Sequence, residues 1–232
     1  MRFAHQGEED RRPQFLLLPE LPEIEIKQSM KTFGITGTIG SGKSTLSILL
    51  RRRHLPVFNA DAYSRTAFQK TAAPYAAVVD RFGTSILDAN GEIDRRALAG
   101  VVFADEEKRV ALDEIVHPYV KEGLLRFLNH HSADALVFAE VPLLFEAGWE
   151  DLFDKVIVVT CERETAIRRL MEDRDFTREE AEARLSHQID PSVQIAKADV
   201  VFHNDGSVKD LDRALGSWLM KQRKERHGTE RR

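Results

Sequence analysis

The residues best suited to chemistry lie together in the segment 37–44, which reads G-T-I-G-S-G-K-S. This is a full match to the phosphate-binding loop G-x-x-x-x-G-K-[ST]. The preceding run 31–36 has the apolar and β-branched character of a strand, and leucines at helical spacing follow in 45–53. A chance glycine turn before a helix would share some of these features, but the motif requires a strand, a glycine loop and a helix in this order. We therefore predict that the chain binds a nucleotide.

The residue types in this loop match the chemistry of phosphate binding. Its glycines allow backbone conformations closed to other residues, so that N–H groups converge on phosphate oxygens at a helix N-terminus. Lys43 supplies a mobile positive charge for the β- and γ-phosphates of ATP, and the Ser44 hydroxyl is a ligand for Mg²⁺. The predicted nucleotide site consists of Gly37, Ile39, Gly40, Ser41, Gly42, Lys43, Ser44 and Thr45.

Two acidic residues, Asp61 and Glu140, each follow a predicted strand, which places them on the same side of the sheet as the loop. Asp61 can orient or deprotonate an attacking hydroxyl, and it also fits the N-cap of a helix that begins at Ala62. Both roles are compatible. Glu140 can hold a magnesium-bound water, although a structural carboxylate explains it about as well. The sequence thus predicts Ser44 and Glu140 as the Mg²⁺ site.

Arginines are concentrated in the segment 163–184, on two predicted helices joined near 175–177. This composition is typical of a mobile lid that closes over a triphosphate and stabilises transition-state charge. Glutamates are interleaved with the arginines, as they are on solvated helix faces, so we expect only one or two of these arginines to be functional. His117, which precedes Pro118 in a helical segment, fits an ordinary packed helix residue on its position alone.

The composition is that of an ordinary globular protein. The chain has 232 residues, of which 42% are hydrophobic, and this is enough to bury the core of one domain. The net charge of −4 does not indicate nucleic acid or a membrane as a partner, and no run approaches the roughly 18 apolar residues of a membrane span. Cys161 is the only cysteine, which excludes an internal disulfide and fits a reducing compartment. We expect a cytoplasmic protein.

Unbroken apolar runs separated by helical sequence indicate an α/β fold with a parallel sheet covered on both faces. Besides 31–36, these runs are 56–60, 135–139, 156–159 and 200–202. The segment between the second and third runs reads as helical, with a long helix over 62–82 that Pro74 should break or kink and another helix beginning at Ile93. Such an insertion suits a cap over the sheet.

From Met30 onward the sequence resembles the dephospho-coenzyme A kinase family. The resemblance rests on motifs that occur in order: G-I-T-G-T-I-G-S-G-K-S-T (34–45), N-A-D-A-Y-S-R (59–65), D-R-R-A-L-A-G-V-V-F (94–103), H-P (117–118), E-V-P-L-L-F-E (140–146), R-L-x-x-Q (184–188) and A-D-V-V-F-H-N-D-G (198–206). Several matched segments in order are more specific than the loop alone.

The resemblance implies a P-loop NTPase-type parallel sheet core flanked by helices, with a helical substrate-binding insertion and a helical lid. The expected kinase domain is 30–220, with the core in 30–61, 133–162 and 197–220, the insertion in 62–132 and the lid in 163–196. Residues 1–29 are expected to form a disordered extension and 221–232 a charged tail. The implied reaction is ATP-dependent phosphorylation of the ribose 3′-hydroxyl of dephospho-CoA, with Mg²⁺, by a monomer or weak homo-oligomer.

The resemblance also assigns roles to individual residues. It implies that Lys43, Asp61, Arg169 and Arg174 are catalytic and that Asn204 belongs to the nucleotide site. On the substrate side it implies Asp61, Arg65, Arg95, His117, Pro142 and Leu143.

The sequence departs from the family pattern in three places. Asn59 stands where the family commonly has a first aspartate, which leaves Asp61 as the acid there. The run 171–175 is shifted by one residue against the family's arginine–aspartate pair, so Arg169 and Arg174 remain alternatives for the lid contact with ATP. The extension before Met30 has no family counterpart.

Other nucleotide-binding proteins share part of this pattern. A kinase of nucleosides or small metabolites would have the loop, the acid and the lid, and a non-catalytic switch would keep the loop alone. A regulatory GTPase would need an N-K-x-D motif, which this sequence lacks. The later motifs favour dephospho-CoA as the acceptor.

Overall fold

The computed structural model describes residues 30–102 and 105–229. In this part of the chain the backbone forms one five-stranded sheet in which all paired strands are parallel. The strands are β1 (Lys31–Thr36), β2 (Val57–Asn59), β3 (Leu136–Glu140), β4 (Lys155–Thr160) and β5 (Val200–His203). The α/β prediction is confirmed, and the predicted apolar runs differ from the strands only at their ends.

The strand order across the sheet is β2-β3-β1-β4-β5, so β1 is central. The loop that follows β1 therefore leaves the sheet at the middle of its carboxyl edge. Glu140, at the end of β3, is in register with Ile35 of β1 and with Asn59 of β2. Because β1 pairs with β3 and β4 and not with β2, the next strand in the chain, the edge beside β1 contains the crevice at which open parallel sheets bind ligands.

Helices cover the sheet and extend it on one side. The helices of the described residues are α1 (Lys43–Arg51), α2 (Ala60–Ser64), α3 (Pro74–Phe82), α4 (Arg95–Val102), α5 (Glu106–His130), α6 (Arg163–Arg174), α7 (Arg178–Ser186), α8 (Pro191–Ala196) and α9 (Val208–Thr229). None of them combines the length and the apolar character that a membrane span requires.

Both faces of the sheet are buried, because side chains alternate along each strand between two apolar layers. On one face Phe33 and Ile35 of β1 and Phe138 of β3 pack against leucines of α1 and α9. On the other face Val137 and Ala139 of β3 pack against the apolar side of α5. Burial on both faces is the physical reason why the strand sequences are apolar at successive positions.

The insertion between β2 and β3 is more divided than the sequence predicts. The helical stretch expected over 62–82 is broken at Pro74 as predicted, and it is divided further: the chain forms α2, a short 3₁₀ turn over Arg65–Phe68 and then α3, which begins at Pro74. Proline stabilises the first turn of a helix, where its missing N–H leaves no hydrogen bond unmade. Pro74 therefore separates two helices, as its predicted breaking role requires.

The helix expected to begin at Ile93 begins instead at Arg95. Ile93 pairs with Leu87 in an isolated antiparallel bridge, and Asp94 accepts a hydrogen bond from the backbone N–H of Arg96 at 2.8 Å. An aspartate in this position favours the start of a helix after it. Ile93, the hydrophobic residue before Asp94, thus belongs to the bridge with Leu87 and not to the helix.

The carboxyl-terminal helix α9 continues to Thr229, into the segment predicted as a charged tail. Gln222, within that segment, is only 5% exposed, so the helix still packs on the domain there. The predicted extension 1–29 and the last part of the predicted tail lie outside the described residues.

Candidate active site

The loop between β1 and α1 has the backbone of a phosphate cradle. Gly37, Gly40 and Gly42 have φ angles of 139°, 77° and 100°, in the region that favours glycine. A Cβ atom on Gly42 would lie 2.1 Å from Nδ2 of Asn204, so this position also lacks space for any side chain. Asn204 in turn donates to the backbone oxygen of Ser41 at 2.8 Å. The turn before α1 is thereby fixed to the end of β5.

Lys43 begins α1 and folds back over the loop. Its Nζ atom donates to the backbone oxygens of Gly37 at 2.6 Å and Thr38 at 2.8 Å. Burial disfavours the charged ammonium and lowers the pKa of Lys43 to about 8, while Glu140 and Asp61 act in the opposite direction. The lysine is therefore held within the loop at a pKa close to physiological pH.

Glu140 ends β3 beneath the loop and is only 3% exposed. The Ser44 hydroxyl donates to Oε1 of Glu140 at 2.7 Å, and the Asn59 amide donates to Oε2 at 3.0 Å. Both carboxylate oxygens thus have a donor, which is what a buried carboxylate needs. The ends of α1, β2 and β3 meet at this one side chain.

Asp61 lies in the first turn of α2, at the rim of the same crevice. The cleft walls desolvate its carboxylate and, together with the nearby charge of Glu140, raise its pKa above the ordinary aspartate value. The expected N-cap role of Asp61 is wrong. Asn59 caps α2 through Oδ1, which accepts from the backbone N–H of Ala62 at 2.7 Å. The Asp61 carboxylate is therefore available to a ligand.

These groups line a cleft of about 410 Å³ at the carboxyl edge of the sheet. Its walls come from the loop, from α2, from the end of β3, from α6 and from the segment after β5. The lining residues are Ile39, Gly40, Gly42, Lys43, Ser44, Thr45, Asp61, Glu140, Pro142, Arg169, Leu170, Asp173, Arg174, Gln188, Asn204, Gly206 and Val208. Most of the residues that the sequence predicted for a nucleotide site are therefore brought together.

The two candidate lid arginines have different surroundings. Arg169 is tied to backbone oxygens at the base of the cleft, with Nη2 donating to Asn204 at 2.8 Å and Nη1 to Gly40 at 3.3 Å. Arg174, at the end of α6, lies close enough to Lys43 and Asp61 to lower the pKa of each. Arg169 thus supports the floor of the site, whereas the charge of Arg174 acts on the groups at its centre.

Comparisons with known proteins agree with this architecture. The model of the dephospho-CoA kinase family matches residues 31–210. A dephospho-CoA kinase of Bacillus cereus is 39% identical over 191 residues, which cover 80% of this chain and 96% of that protein. The chain belongs to the dephospho-CoA kinase family.

Solved structures extend this family relationship to three dimensions. A crystal structure from Thermus thermophilus is 38% identical, with a TM-score of 0.73 and coverage of 84% of this chain and 98% of that one. The dephospho-CoA kinase of Campylobacter jejuni is 26% identical, with a TM-score of 0.64 and coverage of 82% and 96%. The fold prediction and the family resemblance are both confirmed.

Some residues predicted from the loop motif or implied by the family resemblance do not line the cleft as the structure describes it. Gly37 and Ser41 lie behind it, where their backbone oxygens accept hydrogen bonds from Lys43 and Asn204. Leu143 follows Pro142 and is 46% exposed. Their positions are compatible with supporting the loop and, for Leu143, with bordering the entrance.

The three remaining residues that the family resemblance assigns to the substrate side, Arg65, Arg95 and His117, stand on the helical insertion. Arg65 is exposed and near enough to Asp61 to lower its pKa. Arg95 is exposed at the start of α4. His117, on α5, faces Trp149 with ring centroids 5.9 Å apart and lies 3.9 Å from the Asp113 carboxylate. Only Arg65 of these three is close to the centre of the site.

Sequence reasoning missed several residues of the cleft. Gln188 accepts a hydrogen bond from the backbone N–H of Ile39 at 2.7 Å, and so connects the segment after α7 to the loop tip. The Ile39 side chain also packs against the apolar residues between α6 and α7. The motif R-L-x-x-Q contains Gln188, but its spacing alone carries no chemical role. Asp173, Gly206 and Val208 gave no signal because each type is common on helices and turns.

The donor set at Ser44 and Glu140 fits Mg²⁺. Mg²⁺ prefers hard oxygen ligands, keeps several waters and uses one or two protein groups together with substrate phosphates. A hydroxyl and a carboxylate 2.7 Å apart beside a phosphate loop match this preference. No group of three or more histidine, cysteine or acidic side chains in the described chain could form a complete protein cage for a metal. The site therefore suits a metal that arrives with a nucleotide.

Proposed function

We propose that this chain transfers the γ-phosphoryl group of ATP to the ribose 3′-hydroxyl of dephospho-CoA, giving CoA and ADP, the last step of coenzyme A biosynthesis. Family membership supports the phosphotransferase class and its acceptor. The observation that carries the proposal is that Lys43 and Ser44 of the loop and the carboxylate of Asp61 line one cleft. Phosphoryl transfer needs the loop residues on the ATP side of the transferred phosphate and the carboxylate on the acceptor side.

The loop binds the phosphates of ATP. Its backbone N–H groups and the N-terminus of α1 favour an anion. The Lys43 ammonium donates to the backbone oxygens of Gly37 and Thr38, and we propose that it exchanges these carbonyl partners for phosphate oxygens when ATP binds.

Ser44 and Glu140 would hold Mg²⁺, directly or through water. Mg²⁺ held by these two residues would supply positive charge against the negative charge that develops on the transferred phosphate. Ser44 and Asn59 each donate to one oxygen of Glu140, which fixes the direction of its carboxylate for this role.

Asp61 is proposed to act on the acceptor. Asp61 lines the same cleft as the loop and its carboxylate has a raised pKa, so it can accept the proton of the 3′-hydroxyl or orient that hydroxyl for in-line attack. A proton acceptor with a pKa raised toward the working pH is more effective than an ordinary aspartate.

We assign the lid contact with the transferred phosphate to Arg174 and a supporting role to Arg169. The charge of Arg174 acts on both Lys43 and Asp61, between which the γ-phosphate must pass. The guanidinium of Arg169 is already engaged with the backbone oxygen of Asn204 at 2.8 Å. Asn204 and Arg169 then shape the nucleotide end of the cleft.

The acceptor nucleotide is proposed to enter from the side of the helical insertion. Pro142 lines the cleft and the exposed Leu143 follows it, which provides an apolar border next to Asp61. Arg65 lies nearest and would contact the acceptor first, while Arg95 and His117 would contact its more distant phosphate groups. We also propose that the chain acts in the cytoplasm. We propose that it is a monomer or weak homo-oligomer, an oligomeric state that sedimentation velocity can measure.

The test is ADP release by the purified protein with Mg²⁺ and ATP, comparing dephospho-CoA with adenosine, AMP and no acceptor. We expect stimulation by dephospho-CoA alone and a product identical to CoA by chromatography. Stimulation by adenosine or AMP instead would refute dephospho-CoA as the acceptor and indicate another small-metabolite kinase.

Asp61→Asn should lower kcat by roughly 10²- to 10⁴-fold with little change in ATP binding. Wild-type activity in that variant would refute the role of Asp61.

A further inference from the structure

The side chain of Asn59, at the end of β2, makes hydrogen bonds to two different groups. Its Nδ2 donates to Oε2 of Glu140 at 3.0 Å, and its Oδ1 accepts from the backbone N–H of Ala62 at 2.7 Å. An amide is the side chain that offers a donor and an acceptor in a fixed plane. Asn59 therefore connects the base of the cleft to the helix that carries Asp61.

The donor side of the amide orients Glu140. Asn59 and Glu140 are register partners on adjacent strands, so their side chains are held close by the sheet itself. Glu140 is 3% exposed and receives Ser44 on its other oxygen at 2.7 Å. With one donor on each oxygen, the carboxylate has one preferred rotation and presents Oε1 to Ser44. A residue without a donor at position 59 would remove that restraint.

The acceptor side of the amide orients Asp61. The helix α2 spans only Ala60–Ser64, and a helix this short does not form by its own propensity. Its start depends on the cap, and asparagine is among the best N-cap residues. Asp61 lies two positions after the cap, so the direction of its carboxylate follows from the cap geometry.

We propose that Asn59 is a positioning residue that sets the relative placement of Glu140 and Asp61, acting through hydrogen bonds and without touching the substrates. The inference rests on the roles proposed above for those two acids. The amide holds the Glu140 carboxylate directly through Nδ2, and it holds the first turn of the helix that carries Asp61 through Oδ1.

Two substitutions separate the two hydrogen bonds. Asn59→Ser keeps an N-cap oxygen for Ala62 but removes the amide donor to Glu140, whereas Asn59→Ala removes both. We expect kcat to fall about 10-fold in Asn59→Ser and a further fewfold in Asn59→Ala, with a lower Tm only in the second. Asp105→Ala, which removes the cap of α5 away from the cleft, is the matched control and should keep wild-type kcat.

A double-mutant cycle with Glu140→Gln tests whether Asn59 acts through Glu140. We expect Asn59→Ser to cost less than about threefold in the Glu140→Gln background. ATP binding by titration calorimetry supplies a readout other than turnover: Asn59→Ser should weaken binding in Mg²⁺ severalfold and leave binding in EDTA unchanged. Equal 10-fold losses in both backgrounds, or equal weakening in Mg²⁺ and EDTA, would overturn the proposal.

Two further outcomes separate this inference from the function proposed above. Wild-type kcat in Asn59→Ser together with a strong loss in Glu140→Gln would overturn the positioning role and leave the role of Glu140 intact. Wild-type kcat in Glu140→Gln would instead refute the role of that acid, and the positioning role with it. Identical kcat values in Asn59→Ser and Asn59→Ala would overturn the half of the proposal that concerns the cap and Asp61.

Discussion

The pKa of Lys43 gives a quantitative expectation for the pH dependence of the reaction. Burial lowers this pKa to about 8. About nine in ten molecules then carry the ammonium charge at pH 7, and about one in ten at pH 9. Because the β- and γ-phosphates need that charge, we expect kcat/KM for ATP to fall about 10-fold between these two pH values.

The assay is the rate of ADP release at saturating dephospho-CoA and Mg²⁺, with ATP varied at each pH. Under these conditions the pH profile of kcat/KM for ATP reports ionisations of the enzyme before ATP binds, and the profile of kcat reports those of the enzyme with both substrates bound. Bound phosphates stabilise the ammonium, so the alkaline decrease in kcat should begin at a higher pH than the decrease in kcat/KM. A difference between the two profiles is therefore part of the expectation.

Lys43→Arg is the control, because a guanidinium keeps its charge throughout this range. The variant should be slower at every pH, since an arginine does not fit the space between Gly37 and Thr38, but its kcat/KM should be flat from pH 7 to pH 9. A wild-type profile that is also flat to pH 9 would refute the reasoning. An equal alkaline decrease in Lys43→Arg would assign the transition to a different group.

The remaining predictions concern the acid limb, the packing beneath Asp61 and the lid. The pKa of Asp61 is raised, and only its ionised form accepts a proton. We therefore expect kcat/KM to decrease as pH falls through a value above the ordinary pKa of an aspartate, and this acidic decrease should be absent in Asp61→Asn. A Cβ on Gly123 would lie 2.2 Å from the Tyr63 ring of α2, so Gly123→Ala should lower the free energy of unfolding, measured in urea, by about 2 kcal/mol. Gly100→Ala is the control, because a Cβ there would meet no atom within 4 Å, and it should leave the free energy of unfolding unchanged or raise it. Arg174→Lys should lower kcat at least 10-fold with Tm unchanged, and an unchanged kcat would remove this arginine from the proposed mechanism.

The sheet was predictable because two physical requirements act on short stretches of sequence. A parallel strand buried on both faces must be apolar at successive positions, as β3 and β4 are, and a phosphate loop needs glycines where φ is positive. Both requirements are local, so the amino-acid sequence alone is enough to identify Gly37, Gly40 and Gly42. The sheet edge then brings together Lys43 and Glu140, which are distant in the chain.

The insertion was less predictable because its contacts are not local. Tyr63 stacks on Tyr119 with centroids 5.1 Å apart, and the Tyr63 ring occupies the space that a side chain at Gly123 would need. An alanine-rich run favours one continuous helix by propensity, but this packing and Pro74 divide it. His117 and Arg95 stand on the same insertion, and neither is among the residues that line the described cleft. Family motifs indicate that such residues matter without giving their distance from the reacting atoms.

The position of the α2 cap changes how experiments on Asp61 should be interpreted. From sequence, Asp61 served equally well as a helix cap or as a group that acts on the acceptor, so a loss of activity on its replacement would have had two explanations. Asn59 supplies the cap, with Oδ1 2.7 Å from the Ala62 nitrogen, and Asp61 is not needed for it. Asp61→Asn therefore keeps the helix start, and a fall in kcat with unchanged Tm reports on the carboxylate itself. Asp61→Ala, which removes the side-chain oxygen altogether, would have been ambiguous if α2 began where the sequence placed it, but it too leaves the Asn59 cap in place.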